Sequence, residues 1–344
     1  MSLQVAGTVA ALWTGWIAAA AEPPLAVADK LARPARGFFM GVLPMPAAGQ
    51  SFEEAYREAA RYAELVPVWG RPSPFFALAS DLRGDWGQTF VEKLIRGYGM
   101  APIIHLSFLD RGLTLKTPPG MSDATLSSPA WRQAYKQAAL DALRATRPLY
   151  LSAGNEVNRW LEKHGAAPAS PNGFQHFVSL YEEIYDAAKA LSPETRVFCT
   201  FAREVVSENR EADIAKALRM FRPEKLDLLV LTSYPFAVRG QHQVTKVPDD
   251  YYLRAARCLL GKRLGFSELG WNALPPLGGE AGQADFITQL AGRLTRARGI
   301  ELEFLCWVWR HDLNENDRNG LIRRDGGPKP AYAAWKKLSR PQER

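Results

Sequence analysis

Two short stretches put a glutamate where an apolar run gives way to polar and aromatic residues. In "LYLSAGNEVNRW" (149–160), Gly154 is followed by Asn155 and Glu156. In "LGFSELGW" (264–271), Glu268 comes three residues before Trp271. A carboxylate at the lip of an apolar strand either answers a nearby cation or does chemistry. Two of them across one pocket can act on a glycosidic bond. One protonates the leaving oxygen, and the other attacks the anomeric carbon or activates a water. Burial and mutual repulsion split such a pair, so that one carboxyl keeps its proton while its neighbour is ionised. The two glutamates stand 112 positions apart, so the fold must bring them together.

Other residue types narrow the chemistry. Sugar rings offer apolar faces to tryptophan and tyrosine, and their hydroxyls want amides and carboxylates. Trp69, Trp160, Trp271, Trp307 and Trp309 all fall at or just after the ends of apolar runs, as does Tyr234 in "TSYPF". Trp131 and Trp335 lie inside helical patterns and read as core. His105 in "IIHLSF" either faces the site or is a hydrogen-bonded core histidine. The five histidines lack ligand spacing, and "DLNENDRNG" (312–320) lacks the closing acid of a calcium loop, so no metal site is expected. There is no G-x-S-x-G elbow, no P-loop, and no glycine fingerprint after the first strand. Three widely spaced cysteines make neither a disulfide framework nor a zinc pattern. A net charge of +7 is spread along the chain rather than clustered, which argues for a solvated surface and against nucleic acid.

The elements that must position these residues alternate regularly after residue 35. Apolar runs at 37–46, 65–69, 100–108, 147–156, 195–201, 226–236, 262–271 and 301–309 read as eight strands. Between and after them, helical spacing predicts helices at 51–65, 86–99, 128–146, 174–191, 211–221, 248–260, 282–299 and 329–338. Ser51 and Ser128 are the expected caps of the first and third helices. Strands of continuous apolar character are covered on both faces. Right-handed crossovers close such a series into a (β/α)8 TIM barrel, a single α/β domain over 36–340; an open doubly wound sheet is the alternative. In a barrel the site lies at the C-terminal strand ends, which is where Glu156 and Glu268 fall. Long loops are expected at 70–86 and 107–127 as walls of the cleft. Residues 1–21 form an apolar, alanine-rich stretch resembling a secretory signal or an N-terminal anchor, and 22–35 reads as a linker. Export to the bacterial periplasm or exterior follows, with no stable membrane insertion once that segment is cleaved.

Taken together, "AGNEVNRW", "SYPF", "FSELGW" and "CWVW" resemble the strand-four, strand-six, strand-seven and strand-eight motifs of glycoside hydrolase clan A, the retaining (β/α)8 glycosidases. "GVLPMP", "GNE" and "SYP" lean loosely toward the arabinogalactan endo-β-1,4-galactanase family, although "VNRWLEKHGAAP" departs from it. The resemblance implies a carbohydrate substrate and no cofactor, and a monomer is expected. It implies Glu156 as acid/base and Glu268 as nucleophile, with Asn155 on the sugar 2-hydroxyl. Tyr234 would hold Glu268 and Trp307 would floor the −1 subsite. From their places at strand ends, Trp69, Trp160, Trp271 and His105 are further candidates to line the cleft. A non-catalytic sugar-binding barrel is the alternative; a phosphate-binding isomerase or aldolase would want a strand-end lysine or a glycine-rich phosphate cup, which this chain lacks.

Overall fold

In the computed structural model, residues 23–68, 74–295 and 297–339 are described. The stretch 1–21 and Trp69 lie outside them. Eight strands run parallel around a barrel: β1 (Phe39–Val42), β2 (Leu65–Val68), β3 (Ala101–His105), β4 (Tyr150–Ser152), β5 (in two pieces, Arg196–Phe198 and Thr200–Ala202), β6 (Leu229–Ser233), β7 (Leu264–Leu269) and β8 (Leu302–Trp307). Neighbours pair in chain order, and β8 returns to β1 through Phe39 opposite Phe304. The first piece of β5 pairs with β4 and the second with β6, so Cys199 is the hinge at which one strand serves both neighbours and the ring closes. The eight expected strands are thus the eight observed, and the barrel excludes the open sheet.

The layering follows from the alternation of strand side chains. Phe39, Leu65, Ile103, Tyr150, Phe198, Val230 and Phe304 fill the interior. The residues between them, such as Val66, Ile104, Leu151, Leu231 and Leu305, pack outward under the helices. The interior is tight: a Cβ on Gly41 would lie 2.5 Å from Cys306 Sγ and 2.8 Å from the Leu65 carbonyl.

The outer ring comprises α1 (Phe52–Ala59), α2 (Phe75–Arg83), α3 (Pro129–Thr146), α4 (Asn158–His164), α5 (Phe174–Leu191), α6 (Ile214–Leu218), α7 (Tyr251–Ala256), α8 (Gly279–Thr295) and α9 (Pro330–Ser339), together with the helix expected at 86–99, which is wound wider as a π-helix over Gln88–Ile95 and follows α2. Ser51 caps α1 reciprocally with Glu54, as its sequence predicts. Pro129 opens α3, but Ser128 turns its hydroxyl to the Thr125 backbone instead of capping the helix.

Two segments differ from expectation. Much of the expected loop 70–86 is α2, whose Phe75 packs edge-on against Trp131 and Tyr135 of α3. Within the expected linker, residues 25–33 lie across the bottom of the barrel. Leu25 and Ala28 donate to the carbonyls that end α5 and α3. Buried Asp29 accepts from Arg96 at 2.9 Å and from the Leu149 amide at 2.8 Å. Arg33 pairs with Glu303, which is buried at the interior floor and also takes the Tyr150 hydroxyl at 2.6 Å. Among the described residues, no helix is long and apolar enough to cross a membrane.

Candidate active site

The top inward layer of the barrel is polar. Thr200 of β5 and Thr232 of β6 stand above Phe198 and Val230 on the same inward face. Both hydroxyls are spent on the strand-four pair Asn155–Glu156, and that of Thr232 alone reaches the Glu156 carboxylate. Thr200 Oγ1 accepts the Glu156 backbone N–H at 2.8 Å and donates to Asn155 Oδ1 at 2.6 Å. Thr232 Oγ1 donates to Glu156 Oε1 at 2.7 Å. The chain reaches this position through a tight turn. Gly154 has no room for a side chain, since a Cβ would meet Val157 and Phe177 within 2.7 Å. Glu156 itself has φ +47°, a left-handed backbone that costs a non-glycine residue energy and is held here by the Thr200 bond.

Glu268 reaches the same layer by an irregularity in β7. Leu231 of β6 sits opposite Phe266, but the next residue, Thr232, sits opposite Glu268, so Ser267 is an extra residue in the ladder. Simple alternation from Phe266, which packs outward, would also send Glu268 outward. The bulge reverses this: Leu269 packs outward and Glu268 turns to the mouth. Thr232 is therefore the neighbour of Glu268 across the ladder and the hydrogen-bond donor to Glu156. The two carboxylates meet around one threonine.

Tyr234, just past β6, donates its hydroxyl to Glu268 Oε2 at 2.5 Å. Burial first, then the facing charge of Glu156, pushes the Glu268 carboxyl above the ordinary glutamate range, while the Tyr234 hydrogen bond pulls it down. Glu268 therefore keeps its proton to a higher pH than an isolated glutamate would. The arrangement can supply one proton and one carboxylate nucleophile within a single pocket.

The other expected residues divide. Asn155 is half-buried at the mouth, with its carbonyl oxygen taken by Thr200 and its amide nitrogen left to donate. His105 lies inside the barrel on the same inward face as Ile103, edge-on to Phe198, where burial lowers its pKa to about 3 and keeps the ring neutral. Three tryptophans do not come to the pocket. Trp307 alternates with inward Phe304 and Cys306 and so points outward; fully buried, it packs on Trp335 and Phe286 and donates to the Asn319 carbonyl at 2.7 Å. It cannot floor a subsite. Trp271 stacks on Phe286 of α8 and donates to the Leu277 carbonyl, and Trp160 stacks on His164 and donates to the Asn172 carbonyl. Both belong to the packing beneath the rim loops.

Trp309 is the strand-eight aromatic better placed for the mouth. It is half-buried, and its indole N–H donates to Asp317 Oδ2 at 3.2 Å. The Asp317 charge in turn bears on Tyr234. The segment 312–320 carries this aspartate and is a stapled rim loop: buried Lys329 holds Asp312 and the carbonyls of Arg318 and Gly320. Among the described residues, no group of three or more His, Cys, Asp or Glu could hold a metal ion. Thr200, Thr232 and Asp317 went unrecognised in the sequence; the one signal for the two threonines is a hydroxyl residue interrupting an apolar run near its end, and Asp317 stands among other polar residues of 312–320 with nothing to single it out.

No sequence-family model matches the chain, and no curated protein matches it in sequence. Its fold is similar to solved structures. Xylanase 10B from Thermotoga maritima superposes with a TM-score of 0.64 at 13% identity, over 89% of this chain and 95% of that one. A GH5_18 protein from Streptomyces cattleya, in complex with Manb1-4GlcNAc, gives 0.60 at 16% identity over 88% and 80%. A family 39 glycoside hydrolase from the gut symbiont Bacteroides cellulosilyticus WH2 gives 0.60 at 15% identity over 89% and 64%. The chain therefore has the barrel fold that these carbohydrate-active proteins share.

Proposed function

We propose that this protein is a retaining glycoside hydrolase that cleaves β-linked oligo- or polysaccharides. The observation that carries the reading is the pairing around Thr232: Glu156, held by the threonine hydroxyl, faces Glu268, held by Tyr234. Thr232 occupies Glu156 Oε1 and leaves Oε2 to take the proton that Glu268 must give up before it attacks. Tyr234 stabilises negative charge on Glu268 and aims it. In the first step a Glu268 oxygen attacks the anomeric carbon as the glycosidic bond breaks, and the Glu156 proton passes to the leaving oxygen. In the second, Glu156 takes a proton from water, the water oxygen attacks the same carbon, and Glu268 departs as carboxylate. Asn155 donates from its amide nitrogen to the 2-hydroxyl, and Trp309, rather than Trp307, offers an apolar face at the rim. The fold neighbours act on or bind carbohydrate by their own descriptions, which supports the substrate class.

The test is hydrolysis of aryl β-glycosides and a panel of β-linked polysaccharides, β-1,4-galactan included. Glu268→Ala should lower kcat by at least about a thousandfold. Azide or formate should restore part of the rate by entering the space left by the carboxylate. Binding without cleavage by the parent chain would favour a non-catalytic sugar-binding barrel, and full activity in Glu268→Ala would remove the nucleophile assignment.

A further inference from the structure

Another buried carboxylate, Glu204, lies behind the site and takes no part in the chemistry above. It follows β5, where residues Glu204–Val205 pair antiparallel with Arg210–Glu211 and turn the chain under the end of β6. Its side chain is almost fully buried, and each oxygen is committed. Oε2 accepts the backbone N–H of Tyr234 at 2.7 Å. Oε1 accepts the Ser233 hydroxyl at 2.9 Å and the Tyr251 hydroxyl at 2.7 Å. Ser233 also meets the Tyr252 hydroxyl at 3.0 Å, and Arg203 lies 4.1 Å over the Tyr251 ring.

Burying a carboxylate is costly unless it is hydrogen-bonded, and three donors converge here to hold it. What they build is a clamp on two consecutive residues, Ser233 by its side chain and Tyr234 by its backbone. This is where β6 ends and the chain breaks into a turn. The direction in which Tyr234 leaves the strand decides whether its hydroxyl reaches Glu268.

We propose that Glu204 is a positioning residue for Glu268, acting through Tyr234: it fixes the backbone from which the tyrosine reaches the carboxylate. The proposal deepens the glycosidase reading and rests on it for its catalytic meaning, but its geometric content can be measured without turnover.

The measurement is the titration of the Glu268 carboxyl by carbon NMR in the full chain, labelled at glutamate and assigned with Glu268→Gln. Four proteins form a cycle: the parent, Glu204→Ala, Tyr234→Phe and the double variant. Losing the Tyr234 hydrogen bond raises the Glu268 pKa, by up to about one unit. Removing the Glu204 charge alone would lower it, because a nearby negative charge disfavours a second. The expected result is an upward shift in Glu204→Ala and no further shift when it is added to Tyr234→Phe. Glu204→Gln, which keeps an oxygen for the Tyr234 N–H, should restore most of the parent value. A downward shift, no shift, or an upward shift that persists undiminished in the Tyr234→Phe background would overturn the proposal. If Glu204→Ala does not fold, Tyr251→Phe, which removes one donor to Oε1, is read for the same sign in the same cycle. Activity on the glycoside panel is a separate arm. An inactive parent would refute the glycosidase reading while leaving the titration cycle to decide the clamp.

Discussion

Glu268 is held by opposing forces. Loss of water and the Glu156 charge favour its protonated form, and the Tyr234 hydroxyl favours the ionised one; the first two prevail, so the carboxyl binds its proton more tightly in the folded chain than in the unfolded one. Such a group makes stability fall as pH rises from its unfolded value of 4.5 towards its higher folded value. Glu204 adds to the same trend, since burial pushes it up to about 7 against its four stabilising partners. At about pH 8 the folded protein therefore bears the cost of a charge that glutamine would not carry. Glu268→Gln should be more stable than the parent there, by on the order of 1 kcal/mol, with the gap closing near pH 5. Urea denaturation at the two pH values checks this, and a gap that is absent or grows towards acid contradicts it. Sequence could flag Glu156 and Glu268 as acids at strand ends. It could not reveal that Thr232 joins them, because a threonine in an apolar strand looks like any other strand residue until the ladder is known.

The elements that bring these side chains together depend on small departures from regularity. The extra residue Ser267 turns Glu268 inward, and the left-handed Glu156 turns the chain beyond β4 and admits α4 two residues later. Gly270, just beyond β7, is the contact between that strand's exit and β6. Its N–H donates to the Ser233 carbonyl at 3.1 Å, and a Cβ there would lie 2.7 Å from Tyr234 Cε1. Gly270→Ala should push the ring off its line to Glu268 and lower kcat about tenfold, with KM nearly unchanged. An unaltered kcat would mean that the ring has slack and that its position is not set by close packing. The alternation of apolar runs was enough to predict the strands and most helices. Bulges were not legible, because they are set by pairing between strands and not by the order of residues within one. That is also why Trp307 was expected at the mouth: inward and outward faces of β8 differ by one residue, and only the partner strands settle which is which. The helices α2 and α4 were missed for a different reason. Each follows directly on a strand-end segment rich in proline, glycine or asparagine that reads as loop.

At the scale of the whole molecule, closure of the barrel is what turns two distant glutamates into one site. Rhythm and apolar pattern made that closure predictable, since eight covered strands joined by right-handed crossovers have few other arrangements. The belt at 25–33 was harder to foresee. Its few anchors, Asp29 and Arg33 among them, are ordinary charged residues in sequence and become structural only when the barrel floor offers Arg96, Leu149 and Glu303 as partners. The central claim is that the pair across the mouth works by double displacement. The direct measurement is the anomeric configuration of the first product, followed by proton NMR during hydrolysis of a β-glycoside that the panel identifies as a substrate. The account predicts that the β-anomer appears first and mutarotates afterwards. First appearance of the α-anomer would mean that Glu268 activates water instead of attacking the sugar, and would contradict it.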